Sequence, residues 1–193
     1  MTILFFDTET TGLPPRRGTL ASDVECWPRI VEIAWTLADA RGREKRSRSL
    51  VVRPDGFSIP RDATRIHGIT TKMALETGVA LASALEAFEK DLAGADLVVA
   101  HNLAFDGGVV GAEFHRAGRR ESPLDGVEGH CTMEASTDLC RLPGKWGGYK
   151  WPRLEELHRF LFGAGVENAH DALADVRACA RCFFDLRRRG IAV

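Results

Sequence analysis

The sequence lacks any apolar run near the roughly 18 to 20 residues needed to cross a bilayer. Its opening MTILFFDTET has neither the basic segment nor the small-residue cleavage site of a secretory signal. The expectation is an intracellular, cytoplasmic protein with no membrane partner. Cysteine is sparse: five residues at irregular spacing, an odd number that argues against a disulfide framework and for free thiols. Cys179 and Cys182 are the one close pair, but ACARCFF carries a helical pattern without a second pair at zinc-finger spacing, so they read as small core hydrophobes. An excess of either charge is also missing, since 26 basic and 27 acidic side chains give a net charge of −1. That excludes a global polycation, but not a nucleic-acid enzyme whose positive potential is local or carried by bound metal. Repeats, low-complexity tracts and interdomain linkers are absent, and 193 residues, 45% apolar and 27% charged, suit a single domain over 1–193.

What is present begins at FFDTETTGL, residues 5–13. An apolar run ends in Asp7 and Glu9, and residues two apart in a strand project to the same face. Two carboxylates so placed repel each other, and the pair needs a cation.

Periodicity gives an α/β protein. Residues 2–7 read as a buried central strand, and 30–39 (IVEIAWTLAD) and 47–54 (SRSLVVRP) as two more, joined by the charged turn around ARGREKR in an antiparallel meander. A short helix follows in PRDATRIHGIT, and a longer one in LASALEAFEKDLAGA, where Leu81, Leu85, Phe88 and Leu92 recur at helical spacing. Residues 96–100 (DLVVA) form a fourth strand, followed by a helix that Asn102 can cap and Gly118 stops. VEGHCTM is a fifth strand, with helices around 153–162 and 171–189. The sum is a mixed five-stranded sheet flanked by helices. In open sheets of this kind ligands bind outside the carboxyl ends of parallel strands, which here means DTETTG and HNLAFD. A third polar cluster, NAHDALAD, opens the last helix.

The motifs FDTETTG, IHGIT, HNLAFD and HDALAD, in that order, resemble the DEDD superfamily of 3′-to-5′ exonucleases, and the histidine in the last resembles its DEDDh (DnaQ-like) branch. That branch includes the proofreading subunit of the bacterial replicative polymerase and ribonuclease T. The resemblance runs from about Thr2 to about Leu186 and implies a ribonuclease H-like fold. It implies that Asp7, Glu9, Asp106 and Asp175 hold two divalent cations and that His170 is the general base. Chemistry agrees: two metals about 3.5 to 4 Å apart can activate water and stabilise the leaving oxygen of a phosphodiester. All-oxygen donors favour Mg²⁺ or Mn²⁺ over Zn²⁺.

His170 and Asp175 lie about 140° apart on an ideal helix, so both could not enter one site from its middle. Asp171 resolves this as the N-cap, with His170 on the approach and Asp175 in the first turns. Thr10, Thr11 and Gly12 either turn the chain, glycine accepting positive φ, or, as the resemblance suggests, contact the 3′-terminal nucleotide. His67, His101, Asn102 and Phe105 belong near that nucleotide by the same resemblance, against strand-end, capping and core roles.

Residues 143–153, PGKWGGYKWPR, interleave cations and aromatics in a loop that suits single strands, or else Trp151 and Pro152 cover the core at the start of the next helix. The basic ARGREKRSR reads as a solvated turn. The connection 14–29 is long for a compact domain, and it either borders the site, presents Trp27 to a partner or is a surface insertion. Where several relatives have Asp-Thr after the second motif, this chain has Cys131-Thr132, which bears on substrate fit or packing rather than on metal ligands.

The expected activity is release of nucleoside 5′-monophosphates from the 3′ end of single-stranded or frayed DNA, in proofreading or repair, with a possible polymerase or repair partner. The alternatives are RNA 3′-end trimming, because the motifs serve both substrates, and a catalytically silent nucleic-acid-binding module. Against the silent module stands the presence of all five catalytic side chains.

Overall fold

A computed structural model describes residues 1–14, 18–167 and 171–191. The five strands β1 (Thr2–Thr10), β2 (Ile30–Asp39), β3 (Glu44–Val51), β4 (Leu97–Ala100) and β5 (Glu128–Cys131) lie in the order β3-β2-β1-β4-β5. The β1–β2 and β2–β3 pairs are antiparallel, and β1–β4 and β4–β5 are parallel. This is the mixed, helix-flanked sheet expected. Eight helices accompany it among the described residues: α1 (Arg61–His67), α2 (Thr71–Thr77), α3 (Leu81–Leu92), α4 (Leu103–Arg116), α5 (Thr132–Ala135), α6 (Thr137–Cys140), α7 (Leu154–Phe162) and α8 (Ala172–Arg188). None is long and apolar enough to cross a membrane.

Alternation along β1 sets the layers. Leu4 and Phe6 join the core beneath α3 and α4, whereas Ile3 and Phe5 join the core beneath α8. Each fully buried large side chain of this strand contributes roughly 1.5 to 3 kcal/mol. The strand end is therefore held from both faces, and the same alternation sends Asp7 and Glu9 toward α8 and Thr8 toward α4.

Several expectations change. The first strand runs through Thr10 rather than ending at residue 7, and its pairing with β2 shifts between Glu9 and Thr10. Such irregularities re-aim side chains beside active sites. The third strand begins at Glu44 and ends at Val51, so ARGREKRSR is not simply a solvated turn: Arg46 and Arg48 stand on β3 and pair with buried Asp91. Helix α2 escaped the periodic reading because it buries one residue, Ala74, and shows no apolar stripe; Thr70 caps it by accepting the Met73 N–H. The one-turn helices α5 and α6 are too short for a periodic signal.

Trp27 is buried rather than presented to a partner. Its indole donates to the Leu20 carbonyl at 2.9 Å and lies so close to Gly108 that an added Cβ would meet the ring at 2.1 Å. Only glycine at 108 lets α4 accept that ring.

Candidate active site

The carboxyl end of β1 gathers acids from distant segments. Oxygens of Asp7 and Glu9 on β1 and of Asp175 in the first turn of α8 lie within 4.8 Å of one another. Asp106 reaches the same strand end from α4, on the other side of the sheet. Its Oδ1 accepts the Thr8 N–H at 3.0 Å and the Thr8 hydroxyl at 2.7 Å. Thr8, between the two β1 acids, thus fixes Asp106 against them.

Electrostatics make this end hungry for positive charge. Burial, followed by the charges of Asp106, Glu9, Asp175 and Glu32, holds the Asp7 carboxyl well above its ordinary range. Glu9 is pushed up to about 8, first by burial and then by Asp175 and Glu32. Asp106 rises to about 7 through burial, opposed by its bonds from Thr8. Among the described residues no lysine or arginine forms an ion pair with Asp7, Glu9 or Asp106. Converging oxygen donors with mutual repulsion suit a hard divalent ion.

Asp171 is the N-cap of α8, its Oδ1 accepting the Ala174 N–H at 2.9 Å. Asp175 follows in the first turn, as expected, while His170 lies outside the described residues. Glu32 escaped the sequence reading. It faces Glu9 across the β1–β2 ladder and accepts the Ser49 hydroxyl and the Ala172 N–H, tying β3 and the start of α8 to the sheet. Burial raises its carboxyl as well. The signal was available: Glu32 is the single charged residue within the strand segment IVEIAWTLA.

The residues expected beside the nucleotide have the following surroundings. The Thr10 hydroxyl donates to the Gly12 carbonyl at 2.7 Å, and the Thr11 hydroxyl accepts the Arg29 N–H at 3.0 Å, so both serve the turn. Gly12 does not use positive φ, contrary to expectation; the space where its Cβ would stand is open. His67 ends α1, and its Nδ1 accepts the Ile69 N–H at 3.1 Å. Burial lowers its pKa against the opposing pull of the Thr10 backbone, which places the ring beside the β1 end.

His101 follows β4 directly and is braced on both nitrogens, at 3.0 Å to the Thr132 hydroxyl and 3.0 Å to the Pro152 carbonyl. Burial, opposed by that carbonyl, brings its pKa down to about 4. The neutral ring therefore donates from Nε2 to Pro152 and accepts at Nδ1 from Thr132. Thr132 of the divergent Cys131-Thr132 pair is fully buried in this brace. Asn102 precedes α4 in the left-handed region, φ 84°, and its side chain does not cap the helix; its carbonyl accepts the Phe105 N–H instead. Asparagine tolerates that conformation better than most residues. Phe105 is half-buried against Trp27, ring centroids 6.4 Å apart.

The chain is 38% identical to a DNA polymerase III subunit epsilon-like protein of Rhodobacter capsulatus over 96% of its own length and 24% of that protein's. It is 33% identical to an uncharacterized exonuclease, CP81, of Escherichia phage 186, over 90% of this chain and 82% of that one. Its fold matches E. coli Exonuclease I, solved in complex with a dT13 oligonucleotide, with a TM-score of 0.77 and 22% identity, covering 97% of this chain and 41% of that one. The chain thus spans about a quarter of the first relative and two fifths of Exonuclease I. The family model for exonucleases, RNase T, matches residues 4–183, from the third residue of β1 into α8 and so across every motif that builds the carboxylate cluster, and this chain belongs to that exonuclease family of the DEDD (DnaQ-like) superfamily.

Proposed function

We propose that the protein, working as one exonuclease domain of the DEDDh branch, is a metal-dependent 3′-to-5′ exonuclease that removes nucleoside 5′-monophosphates from single-stranded or frayed DNA. The observation that carries the reading is the convergence of Asp7, Glu9 and Asp175 within 4.8 Å, with Asp106 locked to Thr8 beside them. These four would hold two Mg²⁺ or Mn²⁺ ions, with Asp7 central because the other acids surround it. The bound ions would supply Lewis-acid stabilisation of the phosphoryl oxygens and an activated water.

The chain's own residues do the rest. Asp7 and Glu9 present oxygens from a rigid strand, Asp175 from a capped helix, and Asp106 from a helix fixed by two bonds. His170, on the approach to α8, accepts the proton of the attacking water. That water's oxygen joins the phosphorus of the terminal nucleotide, the bond to the 3′ oxygen of the preceding nucleotide breaks, that oxygen takes a proton from solvent to become the new 3′-hydroxyl, and a 5′-monophosphate leaves. The Exonuclease I complex with a dT13 oligonucleotide supports a single strand as substrate. The name of the Rhodobacter relative supports work beside a polymerase.

The test incubates purified protein with end-labelled single-stranded DNA, duplex DNA and RNA of one sequence, with Mg²⁺, Mn²⁺ or chelator. Stepwise shortening of single-stranded DNA from the 3′ end, abolished by chelator, is expected. Shortening from the 5′ end, preference for RNA, or survival of every substrate would each overturn the corresponding part of the proposal. His170→Ala should slow turnover while leaving metal binding intact; unchanged turnover removes it as the base.

A further inference from the structure

The segment 143–150 is a small hairpin. Lys150 N–H donates to the Leu142 carbonyl and Gly144 N–H to the Gly148 carbonyl, both at 2.9 Å. Gly147 and Gly148 turn the tip with φ of 93° and 66°, a geometry that side-chain-bearing residues rarely adopt.

The tip holds Trp146 out in water. Trp27 and Trp35 are 7% and 0% exposed, whereas Trp146 is 90% exposed. Lys145 Nζ sits 5.2 Å from the centre of its ring, and Tyr149 beside it is half exposed. Trp151 is exposed as well, and three exposed aromatics grouped within six residues leave a patch in water that marks a contact surface.

Charge and position choose the partner. From Arg141 to Leu154 the chain carries Arg141, Lys145, Lys150 and Arg153 and no acid. Glu156 engages Lys150, but Lys145 remains at the aromatic tip. The base of the hairpin is tied to the active-site end of the sheet, because the carbonyl of Pro152 is held by His101. His101 lies two residues past Val99, the β4 partner of Phe5, and so stands level with Asp7.

We propose that this hairpin is a stacking platform for single-stranded nucleic acid upstream of the cleaved end: a base lies on Trp146 while Lys145 and its neighbours hold the adjoining phosphates. The proposal rests on the exonuclease reading for its direction, but the platform can be tested apart from cleavage.

Stacking of one base on an aromatic ring contributes ~1 to 3 kcal/mol. Trp146→Ala should therefore raise KM for a deoxythymidine dodecamer about tenfold while leaving its kcat and the hydrolysis of a dinucleotide unchanged. Trp146→Phe should retain most of the affinity. In chelator, where no strand is cut, the dodecamer should quench the fluorescence of the wild type, and Trp146→Phe should remove most of that quench. Equal KM values for wild type and Trp146→Ala on the dodecamer, or a quench that survives in Trp146→Phe, would overturn the platform while leaving the exonuclease reading intact. A Trp146-dependent quench by a strand that is never cleaved under any metal condition would do the reverse. An equal loss on the dinucleotide would assign Trp146 to folding or to the site itself, also against the proposal.

Discussion

The protein buries two kinds of carboxylate, and they differ in what faces them. Asp91, 6% exposed, accepts the Trp35 indole N–H at 2.9 Å and pairs with Arg46 and Arg48. Glu113, 1% exposed, accepts the Ile30 N–H at 3.1 Å and pairs with Arg29 and Arg116. Asp106 is as deeply buried at 3%, yet among the described residues it faces Asp7 rather than a guanidinium. A buried charge is costly unless paired. The acids paired within the chain brace the fold, at the β3 edge and along the 14–29 connection. Those left to repel one another await a cation from outside.

The sharpest way to break this contrast is to neutralise one acid of each kind. Asp7→Asn should lower exonuclease activity by about a thousandfold, since metal-centred catalysis supplies several kcal/mol and each 1.36 kcal/mol is a factor of ten. The same variant should unfold no more easily than the wild type in chelator at pH 8, because it removes repulsion. Glu113→Gln should do the opposite. It strands two arginines and should cost about 2 to 3 kcal/mol in urea unfolding, less than a fully buried pair would because Arg29 keeps part of its water, with no dependence on divalent metal.

pH offers a gentler probe. Glu9 and Asp106, with folded values of about 8 and about 7, retain protons that the unfolded chain loses near pH 4. The folded state then binds more protons, so the contribution of these two acids to metal-free stability falls as pH rises from about 4 toward 8 and is constant above. His101 acts with the opposite sign: its lowered value of about 4 makes stability rise with pH between about 4 and 6.5, after which its contribution is constant. A falling melting temperature from pH 6.5 to 8 therefore isolates the carboxylates. Glu9→Gln should flatten it, and Mg²⁺ should reverse it; a flat wild-type profile would contradict the electrostatic account. The smallest effect belongs to Asp171→Ala, which should cost about 1 kcal/mol as a lost helix cap, with Asp171→Asn nearly neutral in chemical denaturation.

Much of this site was legible in the sequence because its chemistry is local. Asp7 and Glu9 share a strand face by alternation, and Asp171 announces a cap before a helix. The sheet was legible for the same reason, since β1, β2 and β4 are apolar runs. What escaped reading depends on partners far along the chain. Glu32 gains its meaning from Glu9 across a ladder, from Ser49 and from the start of α8. His101 has partners at Thr132 and Pro152, which no spacing rule connects. Trp27 looked available because nothing nearby covers it, yet Gly108 makes room for it from α4.

The most direct test of the central claim is calorimetric titration of Mn²⁺ into the protein at pH 8 without nucleic acid, in wild type, Asp7→Asn and Glu113→Gln. The account predicts saturable binding to the wild type, binding retained in any folded fraction of Glu113→Gln, and binding lost or greatly weakened in Asp7→Asn. Absence of binding to the folded wild type, or the same affinity and stoichiometry in Asp7→Asn, would contradict it.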